Sequence, residues 1–178
     1  MKKTNEQYLQ SITRIFKQYK SLAEKAIEQI DAKQLFIQPN ENSNSVAVIV
    51  KHMAGNMISR WTDFFTTDGE KPDRNRDGEF ENDITDKEIL LKRWEEGWKV
   101  FLDTLASIKP EDLQRTIYIR GEAHTAIEAI NRQLAHYPYH VGQIVYAAKL
   151  LKDTEWSTLS IAKNRSAEFN KEKFSGKN

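Results

Sequence analysis

The chain has no cysteine in its 178 residues. That excludes a disulfide framework, a thiolate metal site and a cysteine nucleophile. It also lacks an excess of either charge: 27 Lys and Arg against 26 Asp and Glu leave +1 with neutral histidines. Such a balance gives no electrostatic reason to expect nucleic acid or an anionic membrane surface as a partner. No stretch approaches the roughly eighteen apolar residues of a membrane span. The first residues, "MKKTNEQYLQ", carry two lysines with no apolar run behind them, so no signal peptide is expected and cytoplasmic residence is the default. Strand candidates are nearly missing. Only "RTIYIRGEA" puts β-branched and aromatic residues ahead of a glycine, so a small hairpin beside a helical body is the most to expect.

What is present is helical periodicity. The length suits one domain, large enough to bury a core without a structural metal, so a metal here would be functional rather than needed for folding. A first helix is predicted over residues 5–30, with Tyr8, Ile12, Tyr19, Ala26 and Ile30 among its apolar positions. "QPNENSNS" reads as a loop, with Ser43 or Ser45 as the N-cap of the second helix. That helix runs over 46–66 through Ile49, Met53, Met57 and Trp61, weakened a little by Gly55. "TTDGEKPDRNRDGEFEND" is the longest irregular segment, a length often reserved for lids or binding loops. The third helix starts near Thr85, which with Glu88 has capping-box spacing, and ends before Pro110. The fourth spans 125–151 and keeps its phase across Pro138, one kinked helix rather than two. Four amphipathic helices argue for an all-α four-helix bundle over residues 1–152, with a polar tail, 153–178, draped over it.

Four histidines are available, and two of them, His136 and His140, lie four apart on the last helix. That spacing points both side chains one way, at the edge of the apolar stripe. The second helix carries His52, Asn56 and Arg60, again at steps of four and beside a core face. Two such stripes facing each other are how bundles build metal sites. Neutral imidazole suits borderline divalent cations, and three histidines leave an open position of the catalytic kind. A solvated histidine pair explains the spacing without function, and Pro138 can be read as a plain kink. Asn56, Arg60 and Gln143, one turn beyond His140, are candidates for the surrounding pocket, with Arg60 suited to an anionic group or else to a salt bridge with Asp63, Glu79 or Glu81. His124, three turns before His136, either reaches the pocket rim or is an exposed residue ahead of the helix, with Thr125 as the cap. The arginines of "DRNRD" read as a solvated loop, and Trp61, Trp94 and Trp98 as core.

With the histidine of "VIVKHMAGNMISRWTDFF" and the pair and G-Q of "INRQLAHYPYHVGQIVYAAKLL" in view, the chain resembles the DinB/YfiT-like superfamily of four-helix metalloproteins, in a branch without an assigned function. The resemblance covers most of the chain after Ser45. It implies an up-down-down-up bundle, often dimeric, and a divalent metal held by His52, His136 and His140, zinc or nickel foremost, with iron, manganese or cobalt as alternatives. It implies, further, a thiol-dependent transferase, the metal activating a low-molecular-weight thiol such as bacillithiol for attack on an electrophile. A non-catalytic metal-binding or stress-related bundle is the alternative. Pro138 departs from the family pattern.

Overall fold

The structure is a computed structural model describing residues 2–176. Its elements in chain order are α1 (Lys2–Gln29), α2 (Ala32–Leu35), α3 (Val46–Trp61), α4 (Lys87–Ser107), β1 (Thr116–Ile119), β2 (Glu122–Thr125), α5 (Ala126–Lys152) and α6 (Ser166–Phe174). The four predicted helices are α1, α3, α4 and α5, and they form the bundle. The predicted hairpin is the antiparallel pair β1–β2, in register Thr116 to Thr125 and Ile119 to Glu122, directly ahead of α5.

Cross-helix contacts fix the directions. Tyr8 donates to Asn131 near one end of α1 and Gln34, just past its other end, to the Leu151 carbonyl, so α1 and α5 run parallel. Gly97 packs on Ala54 and Thr104 donates to the Trp61 carbonyl, so α3 and α4 also run parallel. Lys20 reaches Glu95 while Asn5 reaches the Pro110 carbonyl, so α4 opposes α1. The bundle is therefore up-down-down-up. Parallel neighbours in sequence need a connection running the length of a helix, about 24 Å for sixteen residues. Residues 62–86 are that crossover, which accounts for the long irregular segment.

The core is aromatic at its centre: Phe16, Trp61, Trp94, Trp98, Phe101 and Tyr137 are each no more than 1 % exposed. The three tryptophans are core, as their periodicity implies. Helix α3 is enclosed on every side, with 15 of its 16 residues buried. Gly97 makes this closeness possible, because a Cβ there would lie 2.9 Å from the Ala54 Cα.

Several local expectations shift. Helix α3 ends at Trp61, not 66, because Thr62 is extended and Asp63 takes a left-handed φ of 50°. Ser45, of the two serines, caps it through the Val48 N–H. The cap of α4 is Asp86 rather than Thr85, accepting from the Glu88 and Ile89 amides. Thr125 caps α5 in a full capping box with Glu128. Helix α5 continues through Pro138 as one helix. The four-residue α2 and the solvent-exposed α6 have no periodic apolar stripe to announce them. In the tail, Trp156 and Leu159 pack on the core, and the Ser157 backbone exchanges hydrogen bonds with Gln29, while α6 buries nothing. No helix among the described residues is long and apolar enough to cross a membrane.

Candidate metal centre

Three imidazoles from two helices meet. Helix α3 brings His52, and one face of α5 brings His136 and His140, as the four-residue spacing requires. Their Nε2 atoms converge: His140 to His136 is 3.0 Å and His52 to His136 is 3.4 Å. One ligand nitrogen from each lies within 4.8 Å of both others. A cation about 2.0–2.1 Å from each nitrogen in tetrahedral geometry sets neighbouring nitrogens about 3.3 Å apart. The two distances to His136 Nε2 bracket that value.

The opposite ring nitrogens are each held by an acceptor. His52 Nδ1 donates to Glu79 Oε2 at 2.9 Å, His136 Nδ1 to Gln133 Oε1 at 3.3 Å and His140 Nδ1 to Gln143 Oε1 at 2.8 Å. Acceptors on all three Nδ1 atoms place the proton there, which leaves three Nε2 lone pairs facing one point. Lone pairs so placed repel one another unless a cation or proton sits among them. Burial, together with the neighbouring His140, His52, Arg60 and Arg74, pushes His136 down to about 3, and burial also pushes His140 down. His136 and His140 are thereby held as neutral imidazoles at ordinary pH, the form that ligates. His52 is buried and its partners are half-buried, so the cluster is open on one side.

Glu79 was hidden from sequence reasoning. It lies on a 3-10 turn, Asp77–Phe80, inside the crossover, which packs along α3. Burial raises its carboxyl, but hydrogen bonds from His52 and Arg74 outweigh that and hold it ionised, below its usual pKa. Gly55, one turn below His52 on α3, provides the room: a Cβ there would sit 2.4 Å from Glu79 Oε1. Phe80 lies against the His52 ring, with centroids 4.6 Å apart. Lys51 ties the segment down by donating to the Gly78 and Glu81 carbonyls and to Asp83.

The expectation of a solvated "DRNRD" loop does not hold for Arg74. Its side chain is 4 % exposed, and it bonds Glu79 with both Nε and Nη2 at 2.8 Å and Glu70 at 3.1 Å. Arg60 pairs with Glu70 at 3.0 Å rather than with Asp63, Glu79 or Glu81, because the crossover lays Glu70 beside it. A cavity of about 190 Å³ adjoins the imidazoles, lined by His52, His136, Asn56, Gln133 and five arginines. Asn56 and Arg60 line it. Asn56 also accepts from Tyr137, which accepts from Trp61, and burial keeps the Tyr137 phenol protonated. Gln143 is bound to His140 instead. His124 is a half-buried residue of β2 opposite Ile117, away from this cavity, with Nε2 3.8 Å from the nearest Glu122 oxygen.

No curated protein and no solved structure matches the chain. The helical bundle and its three-histidine site are consistent with the broader DinB-like metalloprotein superfamily. Residues 3–165, which carry all three imidazoles, match the family described as "Protein of unknown function (DUF1572)", and the chain belongs to that family.

Proposed function

We propose that the protein binds one divalent cation through His52, His136 and His140 and uses it as an enzyme of the thiol-transferase type. The observation that carries the metal reading is the convergence of three Nε2 atoms whose Nδ1 partners are all acceptors. Nitrogen-only donors favour zinc or nickel, with iron, manganese and cobalt following. When bound, such a cation supplies a Lewis acid that lowers the pKa of a thiol at its open position. The chain's own residues do the rest. Glu79, Gln133 and Gln143 hold the ring orientations, Phe80 shields the His52 face, and Asn56 and Arg60 wait in the adjoining cavity. The transferase reading rests on the resemblance to the DinB/YfiT-like branch and on the open side of the cluster. A cytoplasmic homodimer belongs to the same proposal. Exposed Tyr139, Tyr146 and Leu150 on α5 are consistent with a second copy.

The test has two stages. Metal content is measured by plasma mass spectrometry after purification without added metal. About one equivalent is expected in the wild type and little in His140→Ala. Equal, trace content in both removes the metal centre. Thiol transfer is then assayed with a panel of low-molecular-weight thiols and an aryl halide electrophile. Turnover lost in His52→Ala, with helicity retained by circular dichroism, supports the enzyme. A metal-loaded protein inert with every thiol favours the non-catalytic metal-binding bundle.

A further inference from the structure

The cavity beside the imidazoles is lined by cations and by no carboxylate. Arg60, Arg74, Arg76, Arg120 and Arg132 all face it. Their anionic partners stand behind: Glu70 pairs with Arg60, Arg74 and Arg120, and Glu79 with Arg74. Asp77 is an exposed partner 3.9 Å from Arg76. Among the described residues no carboxylate pairs with Arg132. Two inner carboxylates thus serve three guanidiniums, one of them also bound to His52, and Arg132 adds uncompensated charge.

Arg60 shows what the cavity lacks. Its side chain is 6 % exposed. One terminal nitrogen, Nη2, bonds Glu70, while the other, Nη1, is buried with no hydrogen-bond partner. A buried guanidinium N–H without an acceptor is costly, and a guanidinium's fork matches an oxyanion. Burial pushes Arg60 below its usual pKa, as do Arg74, Arg120 and Arg132, against the pull of Glu70. An incoming anion relieves both the missing bond and the repulsion. The volume is below that of a drug-sized pocket and suits a small head group.

We propose that this cavity binds the oxyanion end of a small-molecule substrate, a carboxylate or a phosphate, with Arg60 and Arg132 as its main donors and the remainder of the molecule held against the imidazoles. Naming that molecule a substrate rests on the metal-centre reading; the oxyanion site itself does not. The full chain is titrated calorimetrically at fixed ionic strength with inorganic phosphate in one arm and succinate in the other. Each arm is run on chelator-treated and on zinc-loaded protein, with metal content measured on the same samples. Saturable binding of one anion per chain is expected in at least one arm in both metal states, and the stronger arm identifies the head group. Arg132→Gln, an exposed position without a salt bridge, weakens it about tenfold or more, and Arg60→Gln weakens it further. Absence of saturable binding in both arms overturns the proposal. So does affinity unchanged in Arg132→Gln. Binding that needs zinc and ignores the arginines assigns the anion to the metal and overturns it as well. Failure of the metal centre would show separately, as zinc that does not load.

Discussion

The sharpest dependence at the residue scale is His52 on Glu79. Outer hydrogen bonds to ligating imidazoles typically set tenfold to hundredfold in metal affinity. Glu79→Gln keeps the shape but weakens the acceptor at His52 Nδ1, and it leaves Arg74 short of a partner. A fall of about tenfold to a hundredfold in zinc affinity is expected, measured by competition with a chromophoric chelator. Gly55→Ala reaches the same bond from the other side, since the new methyl overlaps the Glu79 carboxylate. It should mimic Glu79→Gln in affinity with α3 still helical by circular dichroism. Unchanged affinity in both variants would show that Glu79 does not orient the ring. The three imidazoles were legible because helical period alone puts residues four apart on one face and because both stripes border apolar positions. Glu79 and Arg74 were not. Nothing in an irregular charged segment says which of its residues turns inward, and their burial depends on how the crossover lies on α3.

Among the elements, α5 carries a proline in its interior. Pro138 sits between His136 and His140, removes one amide donor and leaves the Leu134 carbonyl without its helical partner. The apolar phase either side of it gave away the single helix, since Tyr137, Val141 and Ile144 are all buried on one line. Restoring the missing bond with Pro138→Ala should stabilise the protein by up to about 3 kcal/mol, read from chemical denaturation at constant m-value. A destabilised variant would mean that the proline fits a bend the bundle requires. The short elements were beyond pattern reading for a physical reason. Helix α2 is a single capped turn, Asp31 with Gln34, and one turn cannot display a period. The end of α3 depends on the backbone of Asp63, which no stripe reports.

At the scale of the whole molecule, a cation held by His52, His136 and His140 ties α3 to α5 across 84 residues of chain. The unfolded chain has no such preformed site, so binding adds to folding free energy. At a free zinc concentration a hundred times Kd the gain is about 2.7 kcal/mol. For a chain of this length that corresponds to a rise of roughly 5–10 °C in Tm. Differential scanning calorimetry of the wild type with and without zinc should show it, and His140→Ala should lose most of it. An equal rise in the variant would locate the binding elsewhere. Bundle and hairpin were readable from period and composition. The parallel placement of α3 and α4 was not a matter of period: the resemblance to DinB/YfiT-like bundles implied it, whereas the length of the segment between them read as a lid or binding loop.

That placement has a consequence for how the molecule can change. A chain that starts two successive helices in the same direction must climb the full height of the bundle between them, and here the climb passes the imidazoles. Glu70, Arg74, Glu79 and Phe80 are all set down on the way, whereas the three imidazoles belong to the scaffold. Rewriting the ascent alone would alter the charge and shape around the imidazoles while every helix kept its neighbours.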